Sequence, residues 1–476
     1  MKTDFHAAMD VLITGGALVL ESGTVQGNLA IRNGKIAAIL AEGVELPAQR
    51  RIDARHLLVF PGVVDPHVHF KEPGPGRIRE DFLSGTRQAA AGGVTTTVEM
   101  PLSQPLVTSR ASFMHKYEVA KSQVVTDYAL WGLLPADDLD RIEELIDCGC
   151  VAFKAFLSTD PDAPKLTGYK LLEAMKEVRR HNRFIGFHAE NADIIDSTAA
   201  AMAAAGLSGG LAHLQSRPDI AEMEAISRIA LFAEETGCDV HICHLSSGRA
   251  RDIIRQARGR GVSMTVETLP SYLVLDDADL DRWGVFAKCN PPIRSRENQE
   301  VLWDMVLKGE INMLGSDHCP YTDDDRLKHK GDIWAVPPGL PGIELMLPLM
   351  LDAGLNQRGI KPEKLAHLMS SAPARRFGLG TRKGAVRVGM DADLVLADPN
   401  HCWVYEGARS VGKQKSSLTP WEGKALKGQV IETMVRGHTV FREGEVCADP
   451  GTGELIRPEF NCIPSEDAGN ERGILR

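Results

Sequence analysis

His67 and His69 stand two residues apart at the end of the run VVDPHVHF. In a strand that spacing puts both imidazoles on one face, and two imidazoles on one face begin a divalent-metal site. Alone, such a pair is as readily structural. Four more residues sit at the ends of similar runs. They are Lys154 in VAFKAFL, His188 in FIGFHAE, His244 in VHICHL and Asp317 in INMLGSD. Lys154 is flanked by Phe153, Ala155 and Phe156. An ammonium buried there is costly unless it is salt-bridged or snorkels to water. Beside metal cations, an uncharged amine has another course: it takes up CO2 and becomes an anionic carbamate, N6-carboxylysine, able to bridge two cations. His241 lies three residues before His244, so alternation sends it to the opposite face. His244 is read as the inward one because it lies nearer the end of the run.

These groups need a scaffold that gathers strand ends. From about residue 60 to 370, eight apolar runs alternate with helix-like stretches such as DDLDRIEELIDCG and GYKLLEAMKEVRRH. Alternating strands and helices imply a parallel sheet, and eight such units imply a (β/α)8 barrel of the TIM type, class α/β, with its site at the carboxyl ends of the strands. Residues 11–58 instead read as short strands with Gly-rich turns, as do GAVRVGMDADLVLADP and ALKGQVIETMVRGHTVFREGEV. The expected organisation is a small β-sandwich built from both chain ends (1–58 and 376–450), a barrel over 59–375, and a C-terminal tail over 451–476. The last stretch of that tail, SEDAGNERGILR, reads as loose. The polar run TDDDRLKHKGDIW after Asp317 reads as a loop, either solvated surface or a lid.

Composition narrows the partners. The chain has 476 residues and a net charge of −10, with no basic stripe for nucleic acid. No apolar run approaches the ~20 residues that span a bilayer. The N-terminus MKTDFHAAMDVLITGG lacks the long apolar core of a secretory signal. Nine scattered cysteines, without zinc-site spacing, read as reduced thiols in a cytoplasmic protein.

Taken in order, PGVVDPHVHFKEPG, AAAGGVTTTVEMP, VAFKAFLS, FHAEN, HICHLSS, AKCNPPIR, SDHCPY and GMDADLVLAD resemble the amidohydrolase superfamily, in its cyclic-amidohydrolase branch. The resemblance spans nearly the whole chain. It implies one divalent metal ion held by His67, His69 and Asp317, and a second held by His188 and His244. Carboxylated Lys154 and a hydroxide would bridge them. Zinc is the expected metal, and iron, cobalt or manganese suits the same ligands. Asp317 would be the catalytic general base. A homo-oligomer, commonly a tetramer, is implied as well.

Within the branch, dihydroorotases usually carry an Arg two residues after the second His, an Asn in a PNTNP-like motif, and a further His after the Asp-His pair. Here Lys71, Gln104 in PLSQP, and Tyr321 stand at those places. Hydantoinases and dihydropyrimidinases usually carry a Tyr shortly after the bridging Lys, where this chain reads KAFLSTD. The EMPLSQP, HAEN, CHLSS and AKCNPPIRSRENQ stretches are most similar to allantoinases, which implies opening of the hydantoin ring of allantoin to allantoate. Hydantoinase, dihydropyrimidinase or dihydroorotase activity is the alternative. A non-catalytic scaffold relative is disfavoured, since all six ligand positions hold the expected residue types. Substrate contacts are expected from the backbone around Asn290 and Gly339, and from a hydroxyl of Ser158 or Thr159.

Overall fold

The computed structural model describes residues 8–160 and 163–460. The SEDAGNERGILR stretch lies outside the described residues. The chain opens with strands β1 (Met9–Leu20), β2 (Gly23–Arg32) and β3 (Lys35–Ala41), joined as an antiparallel meander. Strands β4 (Ala48–Asp53) and β5 (Leu58–Pro61) both run parallel to β1. Their apolar faces close a core that includes Val11, Ile13, Leu29 and Ile31.

All eight runs of the middle section are extended and parallel. Strands β6 (Val63–Val68), β7 (Val94–Glu99) and β8 (Asp127–Leu130) form one sheet. Strands β9 (Gly132–Leu133), β10 (Phe153–Phe156), β11 (Phe184–His188), β12 (Asp239–Ile242), β13 (Met264–Thr268) and β14 (Met313–Leu314) form another, hydrogen-bonded in chain order. The third run is divided at Trp131, whose N–H donates to Glu99 O, so β8 and β9 are one path with a break. At the other seam, Val68 makes a parallel bridge to His318, just past β14. Val64, Val98, Ala129, Trp131, Phe184 and Met313 share one buried cluster with Phe377, so side chains from first, middle and last strands meet in a common interior.

Helices cover the opposite faces. They are α1 (Phe82–Ala91), α2 (Arg110–Ala120), α3 (Arg141–Cys148), α4 (Gly168–Arg180), α5 (Ala192–Ala204), α6 (Gly210–Ser216), α7 (Asp219–Thr236) and α8 (Arg251–Gly259). The buried positions of α4 are Leu171, Ala174, Met175 and Val178, the i, i+3, i+4, i+7 stripe of an amphipathic helix. Gly149 ends α3 in the left-handed conformation, which costs a glycine nothing. Two helices, α5 and α6, are inserted before α7. Beyond β13 come α9 (Pro270–Val274), α10 (Asp277–Trp283) and α11 (Arg296–Leu307).

The chain then returns to its first sheet. Strand β15 (Leu394–Val404) pairs antiparallel with β5, and β16 (Ala425–Val435), β17 (His438–Arg442) and β18 (Glu445–Val446) extend it. Both chain ends thus contribute to one nine-stranded sheet. Residues 451–456 then run back to β8, where the Ile456 N–H donates to Tyr128 O at 2.8 Å and Ile456 is buried in the interior cluster. Among the described residues, no helix is long and apolar enough to cross a membrane, and the eight cysteines are unpaired.

Candidate metal centre

His67 and His69 emerge where β6 ends. Asp317 lies just beyond β14, with a positive φ of 46°. Parallel strands put these ends side by side, and Asp317 Oδ1 lies 3.2 Å from Nε2 of both histidines. A bond across the seam fixes this meeting. Asp65 Oδ1 accepts from the backbone N–H groups of His67 and Ser316, tying the first strand to the segment that presents Asp317. Burial raises the Asp65 carboxyl to about 7.

Lys154 points from β10 into the same interior. It is 1% exposed, and its Nζ has no hydrogen-bond partner among the described residues. A buried polar atom left unpaired costs free energy, so it signals either a missing partner or a modification. The salt-bridged or snorkelling alternative is thereby removed. His188 ends β11, its ring stacked on Phe156 at 5.8 Å. His188 Nδ1 and His244 Nε2 face each other at 3.2 Å. One ligating atom each from His67, His244 and Asp317 lie within 4.8 Å of one another. Six side chains from five strand ends therefore converge.

The expected orientation of His241 is overturned. It does not face away. It points into the interior beside Glu267, with Nε2 3.4 Å from the carboxylate, and its Nδ1 is 2.9 Å from Thr265 Oγ1. Simple alternation fails because His244 lies past the end of β12, at a positive φ of 36°. That sharp bend returns His244 to the same side as His241. Such backbone conformations are strained for residues other than glycine and cluster at functional sites.

The imidazoles are prepared as ligands. Burial, with help from the Lys154 charge, lowers His67 to about 4, and burial takes His69 and His244 well below the ordinary value. All three are neutral at pH 7, the form that binds a cation. Glu267 Oε1 accepts from His67 Nδ1 at 3.0 Å, and Glu190 Oε2 from His188 Nε2 at 2.7 Å. An ionised carboxylate only accepts, so each imidazole donates there and turns its other nitrogen to the centre. Burial alone would raise both carboxyls. His67 and His241 outweigh it at Glu267, and Arg217 and His188 outweigh it at Glu190, leaving both below the usual range. Burial raises Asp317, against the opposing pull of His67 and Lys154.

The residues expected around a substrate divide. Ser158 is buried, whereas Thr159 is exposed and its hydroxyl is spent on Asp196 at 2.7 Å. Asn290 Oδ1 is buried without a hydrogen-bond partner among the described residues. Gly339 has a φ of 150°, and a Cβ there would lie 2.4 Å from Cys319 O, so only glycine fits. Its N–H donates to Lys288 O, and its carbonyl accepts from Arg326. Lys71 and Tyr321 meet, the ammonium 5.3 Å from the ring centre, while Gln104 is exposed. The run after Asp317 is not all loop. Thr322 caps a short helix, α12 (Asp323–Leu327), whose Arg326 is buried and whose Asp325 pairs with Arg79 at 2.9 Å. The Asp325–Arg79 pair and the cap supply the order that a polar run does not announce.

Sequence reasoning passed over Asp65, Glu190, Arg217 and Glu267. Glu190 and Asp65 each lie two residues from a histidine already singled out, which is a usable signal. Glu267 ends the seventh run as the others end theirs. Arg217, in a helix insertion, has no sequence signal.

An interior of parallel strands whose carboxyl ends gather four imidazoles, a carboxylate and an orphaned amine offers donors that suit a divalent metal ion. Residues 58–440 match the amidohydrolase family, and the chain belongs to that family. It is 41% identical to an allantoinase of Rubrobacter xylanophilus, over 95% of this chain and 98% of that one. It is 39% identical to an allantoinase of Solibacter usitatus, over 95% and 98%. Among solved structures, the L-hydantoinase of Arthrobacter aurescens superposes with a TM-score of 0.91 at 33% identity, covering 94% of this chain and all of that one. The dihydropyrimidinase of Brevibacillus agri follows with 0.89 at 28% identity, covering 96% and 100%.

Proposed function

We propose that this chain is an allantoinase that opens the hydantoin ring of allantoin to allantoate at a two-metal centre. The observation that carries the reading is the convergence of an orphaned, fully buried Lys154 with His67, His244 and Asp317. The identity to allantoinases over nearly the whole chain supports the choice of substrate. The scaffold would be a closed (β/α)8 barrel beside a β-sandwich from both chain ends. The Val68–His318 bridge and the shared interior cluster favour closure.

The donor set fits two divalent cations, zinc or a metal of similar preference. His67, His69 and Asp317 would hold one, His188 and His244 the other, with carboxylated Lys154 between. Carboxylation would turn the unpaired Nζ into part of an anion, whose charge the two cations would balance. What the cations would supply is Lewis acidity and a nucleophile at neutral pH. The protein's own part is orientation and proton movement. Glu267 and Glu190 fix the rings of His67 and His188. Asp317 turns Oδ1 to the imidazoles, so Oδ2 is the atom that takes a proton from the attacking water and returns it to the departing ring nitrogen. Backbone groups around Asn290 and Gly339, with the Ser158 hydroxyl, would align the ring.

The test offers purified protein, supplied with zinc, four rings in parallel: allantoin, hydantoin, dihydrouracil and dihydroorotate. The highest kcat/KM is expected on allantoin. Preference for hydantoin or dihydrouracil would move the chain to its structural neighbours' activities, and no turnover of any ring would refute the enzyme reading. Asp317→Asn should lower kcat by about 10²–10⁴-fold, the usual worth of a positioned acid or base.

A further inference from the structure

The hairpin of α6 and α7 reaches three parts of the site at once. Arg217, at the end of α6, grips Glu190 with two nitrogens, Nε at 3.0 Å and Nη2 at 2.6 Å. Glu190 in turn holds His188 Nε2. Near the start of α7, buried Glu222 accepts from the N–H groups of Ser246 and Ser247, both at 2.9 Å. That fixes the segment immediately after His244. The third part is the stretch running from Cys289 to Arg294. His213 of α6 lies 2.9 Å from Cys289 O, next to Asn290. Arg294 closes the circuit, donating to Ser246 Oγ at 2.8 Å, to Arg217 O at 3.1 Å and to Glu222 Oε2 at 3.1 Å.

The network is charged and mostly buried. Glu190 and Glu222 are buried, as is Arg294, and every carboxylate oxygen in it meets a donor. Such a network is costly to leave half satisfied, so its members hold one geometry together. Helices α5 and α6 were not demanded by the alternation of strands and helices, and α6 supplies both Arg217 and His213.

From this we infer that Glu190, Arg217, Glu222 and Arg294 are positioning residues that lock the His188–His244 half of the metal centre to the Asn290 segment on which the substrate ring rests. The inference rests on the two-metal reading of the site. Its two ends separate by experiment. The Glu190–Arg217 end acts on a metal ligand, so damage there weakens one cation. The Arg294 end acts on the substrate segment, so damage there weakens ring binding.

Chelator-stripped protein would be titrated with zinc against a competing chelator, with melting followed as a control for folding. Wild type should bind two equivalents. Glu190→Gln and Arg217→Lys should keep the first and bind the second about 10–100-fold more weakly, the scale at which partners that orient a ligand act. The cobalt-substituted forms should show an altered visible spectrum for one ion only. Arg294→Lys should retain both metals and raise KM several-fold with little change in kcat. Should Arg217→Lys not fold, Glu190→Gln, which keeps the side-chain shape while removing the charge and one acceptor oxygen, carries the same comparison. Second-equivalent affinity within twofold of wild type in the folded variants would overturn the network. A wild type that binds fewer than two equivalents would overturn the reading beneath it.

Discussion

At the scale of single residues, Lys154 is the position where burial and chemistry conflict most openly. An amine without a partner in a packed interior is unfavourable, and a carbamate would resolve it by supplying a bridging anion. Lys154→Ala should therefore lower kcat by more than about 100-fold, beyond what a merely orienting partner costs. A short carboxylic acid added to the assay should restore part of the activity by standing in for the lost carboxylate. Full activity of the variant without added acid would exclude the bridging role. The residue types of the six candidate ligands were plain in the sequence, and so was their order. Their conversion into neutral, aimed imidazoles was not, because it depends on Glu190 and Glu267 meeting them across the fold.

At the scale of elements, the segments that follow the strands govern the site. His244 and Asp317 both take positive φ, so the geometry of the centre is set by how β12 and β14 end. The segment after Gly339 is fastened in a different way. Half-buried Glu344 accepts from the Ser410 hydroxyl and from the Val411 N–H, the latter at 3.3 Å. Burial raises its carboxyl to about 7 from an ordinary 4.5. The folded chain thus keeps a proton that the unfolded chain releases. The stability this contributes is whole below about 4.5 and is lost as pH rises through about 7. Glu344→Gln, neutral throughout, should flatten the fall in melting temperature between about pH 4.5 and pH 7. Equal slopes for the two proteins would show that this carboxyl does not titrate as its burial demands.

At the scale of the whole molecule, the two sheets are pinned by a buried charge cluster. Lys383 lies between Asp127 of the parallel strands and Asp391 and Asp393 beside β15, with Asp391 at 2.9 Å and Asp393 at 2.6 Å. Lys35 and Arg382 also pair with Asp391, and Arg436 with Asp127. Removing one partner of such a set leaves uncompensated buried charge. Lys383→Ala should cost about 3–5 kcal/mol in denaturant unfolding while sparing kcat of the folded fraction. A loss below about 1 kcal/mol, the worth of a surface ion pair, would show that the cluster is solvated.

The sequence by itself determined the eight extended runs, because apolar strands and capped amphipathic helices leave local patterns with distinct periods. It singled out the six candidate ligands too, since polar residue types stand out against the apolar runs that carry them. Glycine at 339 and the family resemblance were equally legible in local residues. What only the tertiary structure decided were relations between residues far apart in the chain. His241 and His244 both face inward because β12 ends at Ile242 and the bend at His244 breaks the alternation. The tail segment 451–456 docked on β8, and the polar run after Asp317 was fastened through Asp325 to Arg79, by partners more than a hundred residues distant in sequence. Arg217 reached His188 only through the fold. Periodicity records which face of an element is buried. It does not record where an element stops, nor which buried charge will answer another.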